Sequence, residues 1–189
     1  MSEITVLLKA AGGGDRQAAD RAFALLYADL RRLAHSRLRR TGDVTLLDTS
    51  ALVHESFLRL RAQGERAQGL DFADRHHFLG YAAKVMRTVV VDMVRARQAE
   101  SRGGGADHLT LNTAIAESAT SHDEEVIRVH EALEALGASD PRLVQVVEMR
   151  YYAGLSEREI AQALGVTERT VQRDWQKARL VLSAMLRDR

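Results

Sequence analysis

No cysteine occurs in the 189 residues, which excludes disulfides, thiolate metal ligands and a cysteine nucleophile. Only one proline is present, at position 141, and aromatic residues make up 5% of the chain. Alternating β-branched and aromatic runs between turn dipeptides are missing, so the usual signals of strands are absent. The sequence lacks any run of about 18 apolar residues and any charged-then-apolar leader, which predicts a cytoplasmic protein with no membrane partner. Signals of cofactor chemistry are also missing. The triplets Gly12-Gly13-Gly14 and Gly103-Gly104-Gly105 lack the lysine and hydroxyl residue of a phosphate-binding loop. His54-Glu55 opens like a zinc-protease motif, but Leu58 stands where the second histidine ligand would be. His76 and His77 are adjacent, so on a helix they point in different directions, and no metal site is expected there.

The remaining composition is that of a globular chain: 46% hydrophobic, 28% charged, net charge +1. So small a net charge neither establishes nor excludes a nucleic-acid partner, because binding depends on where the cations cluster. Residues 1–98 hold 16 basic against 11 acidic groups, 99–124 hold 1 against 5, and 125–189 hold 10 of each. Helical apolar spacing runs from Ala18 to Leu38, Ala51 to Leu60 and Phe78 to Val94, enough for a small bundle. It collapses between Gln98 and Glu124 into glycine, serine, threonine and acidic residues, then resumes at Glu125. The expectation is an all-α chain of two small helical domains, 1–98 and 125–189, joined by a flexible acidic linker over 99–124. A coil of that length spans roughly 25–30 Å, which would let the domains work apart. The alternative for the free protein is that the two domains pack on each other and hide their binding surfaces.

The most specific local signal lies between Leu155 and Leu182. Ser156 with Glu159 forms the pattern of a capping box, and Ile160, Ala161 and Leu164 follow on one face. Gly165 suits a left-handed helix end, and Thr167 can cap a second helix whose inward side is Val171, Trp175, Ala178 and Leu182. Two helices crossing around so short a turn make a helix-turn-helix. The outer side of the second helix offers Arg169, Thr170, Gln172, Arg173, Gln176, Lys177 and Arg179. These are donors suited to base edges and phosphates. Asp140 followed by Pro141 reads as the cap and first turn of a further helix.

A helix-turn-helix fits many regulators, and the N-terminal half narrows the class. ALVHESFLRL (Ala51–Leu60) and FLGYAAKVMRTVVVDMVRAR (Phe78–Arg97) resemble the core-binding and promoter-melting helices of bacterial RNA polymerase sigma factors of the extracytoplasmic-function class. With the C-terminal match, the resemblance covers nearly the whole chain outside the linker and the first dozen residues. It implies a non-enzymatic transcription initiation factor without cofactor, whose partners are core RNA polymerase, through the clamp helices of the largest subunit, and promoter DNA. Asp48, Leu52, Val53, Glu55, Phe57, Leu58 and Arg59 would then bind polymerase. Tyr81, Lys84, Arg87, Thr88, Arg95 and Arg97 would hold the separated strand at the minus-ten element, and the outer face of the C-terminal helix would read the minus-thirty-five element. Thr88 stands where the family usually has asparagine, and Tyr81 where it often has tryptophan.

Most members carry an acidic Asp-Ala-Glu-Asp motif before the core-binding helix, whereas this chain has Asp48-Thr49-Ser50-Ala51. The wording resembles a subgroup with an ALVHE-type helix that lacks the acidic motif. Phosphate on Thr49 or Ser50 would return negative charge to a helix N-terminus, which implies a Ser/Thr protein kinase as a further partner; the plain alternative is that both residues only cap the helix. Two rival functions differ in class: a stand-alone helix-turn-helix regulator, and a hydrolase built on His54, Glu55, His76 and Asp92.

Overall fold

The computed structural model describes residues 3–41, 49–66, 72–103 and 113–187, and among them the chain is helical throughout, with no strand. The elements are α1 (Glu3–Gly12), α2 (Arg16–Thr41), α3 (Thr49–Arg66), α4 (Arg75–Gly103), α5 (Thr113–Ser139), α6 (Pro141–Val147), a π-helical turn (Glu148–Tyr152), α7 (Glu157–Leu164) and α8 (Glu168–Arg187). The apolar spacing places no helix before Ala18; α1 is additional, and it ends where Gly14 adopts φ 94°. Short polar caps decide where the next helices begin. Asp15 accepts from the amide of Ala18 at 3.0 Å, and Asp74 accepts from the amides of His76 and His77 at 2.8 and 3.0 Å. Those amides hold the carboxyl of Asp74 below its usual range, although burial works against them.

Helix occupies much of the expected linker. α4 continues to Gly103 and α5 starts at Thr113, while 104–112 lie outside the described residues. Serine and threonine each carry a helix penalty of about 0.7 kcal/mol or less and glycine about 1 kcal/mol, so the composition that reads as a linker does not by itself forbid helix.

α2, α3 and α4 bury Ala22, Leu26, Leu30, Leu52, Val53, Leu79, Met86 and Val89 against one another. The rings of Phe23 and Phe57 stack with centroids 3.9 Å apart and tie α2 to α3. Fully buried leucines such as Leu26 and Leu30 each contribute about 1.5–3 kcal/mol of transfer free energy. The C-terminal helices bury Leu133, Leu136, Leu143, Val146, Ile160, Val171 and Ala178, and these join the same hydrophobic cluster. α4 is the element common to both halves: it packs on α3 and α2 on one side and on α5, the π-helical turn and α7 on the other. Consecutive Val89, Val90 and Val91 are all fully buried. At 100° per residue they cover about 200° of arc, so α4 is enclosed on most of its circumference.

Candidate nucleic-acid interface

The helix-turn-helix is built by local caps. Ser156 Oγ accepts from the amide of Glu159 at 3.3 Å, and the carboxylate of Glu159 accepts from the amide of Ser156 at 2.8 Å, closing the capping box. The amide and the hydroxyl of Ser156, donating to the Glu159 carboxylate at 2.8 and 2.7 Å, hold that carboxyl below its usual range. Gly165 ends α7 at φ 64°, a left-handed conformation that glycine adopts without steric cost. Thr167 Oγ1 then accepts from the amide of Thr170 at 3.2 Å and starts α8. On the other side of this unit Asp140 caps α6 through the amide of Leu143, with Pro141 in the first turn.

Along α8, Val171 and Ala178 are buried and Trp175 is half-buried beneath the guanidinium of Arg150, 5.0 Å from the ring centroid. Asp174 is also buried, and it forms an ion pair with Arg142, whose Nε lies 2.8 Å from Oδ2; the pair staples α8 to α6. An acidic residue in a basic recognition helix is thereby accounted for: it faces inward. Arg169, Gln172, Arg173, Gln176 and Arg179 lie exposed on the opposite side. Gln172 donates to Glu157 at 2.6 Å, which lowers the Glu157 carboxyl from its usual range, and Lys177 donates to Asp140 at 3.0 Å at the flank of this face. Thr170 is half-buried, with its hydroxyl 3.0 Å from that of Thr167.

The residues expected to hold the minus-ten strand divide between two sides of α4. Tyr81, Lys84, Thr88 and Arg95 recur at helical spacing on the more open side. Tyr81 donates to Gln63 of α3 at 2.7 Å and packs against Phe72, 5.5 Å between centroids; Thr88 donates to the carbonyl of Lys84. Arg87 is different. It is 1% exposed, and its guanidinium donates to Glu148 at 2.8 Å and Glu134 at 3.0 Å and contacts Nδ1 of His130. Burial works against its charge, but the two carboxylates more than offset this and hold the guanidinium above its ordinary pKa. Arg97 pairs with the buried Asp123, and Arg95 approaches Glu131 at 3.9 Å. Sequence patterns missed Glu148, Glu134, His130 and Asp123; the excess of acidic groups just after α4 covers Asp123 alone.

Of the residues expected to bind polymerase, Leu52 and Val53 are core, and Phe57 is half-buried on Phe23. Arg59 bridges Glu55 at 3.5 Å and Asp92 of α4 at 2.6 Å. The outward row of α3 is Ser50, His54, Leu58 and Arg61, at spacings of four, four and three, with Leu58 46% exposed at its centre. Thr49 and Ser50 occupy the first turn of α3, which contains no acidic residue; Asp48 lies outside the described residues.

Among the described residues no group of three or more histidine, cysteine, aspartate or glutamate side chains is placed to hold a metal, and no helix is long and apolar enough to cross a membrane. An all-helical chain ending in a capped helix-turn-helix has the architecture of a DNA-binding transcription protein. The family model described as ECF sigma factor matches residues 1–188, and the chain belongs to the ECF sigma factor family. Its role is accordingly in transcription initiation; the family's members are DNA-binding regulators and not enzymes, with core RNA polymerase and promoter DNA as partners. No curated protein matches the chain.

Proposed function

We propose that this protein works in the cytosol as a dissociable polymerase subunit in which 1–98 docks on the clamp helices of core RNA polymerase and opens the minus-ten element, 99–124 connects, and 125–189 reads the minus-thirty-five duplex. The observation that carries the reading is the exposed row Arg169, Arg173, Gln176 and Arg179 on the second helix of a helix-turn-helix, within a chain matched to the sigma family over residues 1–188. Side chains three and four apart on one helix face reach successive base edges and phosphates of a major groove. Docking is assigned to the outer row of α3, where an exposed leucine is flanked by polar and charged groups, as at the edge of a protein interface. Run-off transcription from a purified template, with saturating core enzyme alone and with the factor added, both unmodified and with acidic residues at positions 49 and 50, tests the reading. Factor-dependent transcripts are expected; DNA binding with no effect on core enzyme would instead indicate a stand-alone regulator.

Regulation by a Ser/Thr kinase is part of the same proposal. Thr49 and Ser50 sit at the positive end of the α3 dipole in a first turn without carboxylates. A phosphate there adds about −1.5 to −2 charge where the helix end stabilises it and basic clamp groups can pair with it.

A further inference from the structure

We propose that the contact between α4 and the C-terminal helices is an autoinhibitory latch, in which carboxylates occupy the cations of α4 that single-stranded promoter DNA would otherwise engage. The inference rests on reading α4 as the strand-holding helix. It starts from Arg87, the largest of the fully buried side chains. A buried guanidinium is tolerated only when paired, and all three groups that contact it, Glu148, Glu134 and His130, come from the C-terminal half. The arginine is therefore buried because the two halves are together; apart, it returns to water and to phosphate. A carboxylate and a phosphate compete for the same donor fork, so Arg87 serves one or the other.

The pairing repeats along the helix. Arg97 is held by Asp123, whose carboxylate is itself buried, and Arg95 leans toward Glu131. At the other end His76 Nε2 lies 3.5 Å from Glu159 of the helix-turn-helix. Between these sites the surfaces are fitted: a Cβ on Gly80 would stand 2.9 Å from Cγ of Met149, so the π-helical turn approaches bare helix backbone. A sterically fitted apolar contact beside a buried, ion-paired arginine, with further polar contacts toward both ends, distinguishes this contact from casual domain apposition.

Absence of cysteine makes the test direct. Spin labels on Asp20→Cys and Ser183→Cys, both exposed, report the distance between the halves in the full chain. The unmodified background should give one narrow distance. Glu134→Gln with Glu148→Gln should broaden and lengthen it, and should strengthen binding of a fluorescent single-stranded minus-ten oligonucleotide at least about tenfold, because apparent affinity scales with the open fraction. Gly80→Leu, which leaves every charge in place, should do the same by steric means, and circular dichroism checks that both variants stay helical. A broad distance in the parent protein would overturn the latch, as would opened variants whose oligonucleotide affinity is unchanged. Run-off transcription with saturating core enzyme by the otherwise unchanged chain carrying Thr49→Glu and Ser50→Glu is the separate control: its failure would sink the sigma reading, whereas intact run-off with either contrary result rejects the latch alone.

Discussion

Arg59 Nη1 on α3 donates to Asp92 Oδ2 on α4 at 2.6 Å, joining the helix assigned to polymerase docking to the helix assigned to promoter opening. Arg59 also reaches Glu55 one turn earlier, at 3.5 Å. Both sides of the bridge are partly solvated, so its energetic weight is small and its geometric role is to set how the two helices lie. A double-mutant cycle of Arg59→Ala and Asp92→Ala, read by urea denaturation, should give a coupling of about 0.2–1 kcal/mol. Additive losses would mean that the bridge contributes nothing to stability.

On the C-terminal helix, Arg173 is exposed on the open face and Arg179, also exposed, lies six residues further along. Replacing Arg173 by alanine should cost roughly 1–3 kcal/mol on a minus-thirty-five duplex and relax sequence preference, while Arg179→Ala should weaken all duplexes alike. Titrations of specific and random duplexes distinguish the two, and equal losses on both for Arg173→Ala would refute its base-reading role.

Asp174 belongs to stability instead. Its buried carboxylate holds Arg142, so Asp174→Ala should destabilise the C-terminal helices by about 1–3 kcal/mol in chemical denaturation. DNA affinity of the folded fraction should change little, because the substituted side chain faces α6.

Thr49 and Ser50 give a test of the kinase. Alanine at both should abolish activity in cells, and acidic residues at both should raise affinity for core polymerase without any kinase. If the unmodified protein already bound core enzyme as tightly as the acidic variant, phosphate would have nothing to add.

Closure of the two halves should depend on pH through His130. Burial first, and then the charge of Arg87, hold its imidazole below the usual histidine range, with Arg95 acting in the same sense and Glu134 and Asp92 opposing. Freed from Arg87, the ring returns toward its ordinary value of about 6.5. The closed state thus binds fewer protons at this site, so its stability is fully present above that value and declines as pH falls through it. Glu134, held low by Arg87 although burial opposes this, adds the same trend only at more acidic pH. The spin-label distance should broaden between about pH 7.5 and about pH 5.5, and His130→Phe should remove that dependence. Invariance of the parent protein across this range would place His130 outside the closing equilibrium.

Ser156 with Glu159, Gly165, Thr167 and Asp140 with Pro141 could all be read as helix boundaries in the sequence, and each caps or ends its helix as the pattern predicts. A cap is legible because both partners lie within four residues and the backbone geometry joining them is fixed. The outward set on α8 was legible for the same reason, since a period of 3.6 assigns faces once the inward residues are known. The same period places Asp174, three residues after Val171 and four before Ala178, on the inward side, but why a carboxylate is tolerated there is explained only by Arg142, 32 residues earlier.

α4 shows the limit more sharply. Its stretch Val89-Val90-Val91, apolar on most of the circumference, could have indicated a helix enclosed on more than one side, whereas its cations pointed to an exposed nucleic-acid face. Only the tertiary structure decides between them, by bringing Glu148 to Arg87 across 61 residues. The sequence by itself determined an all-α chain, the helix-turn-helix and its outer face, because those follow from local hydrogen bonds and helical periodicity. Which of the matched residues are core, which are bridges and which remain open was decided by packing: burial of a charge depends on a partner that no local pattern specifies.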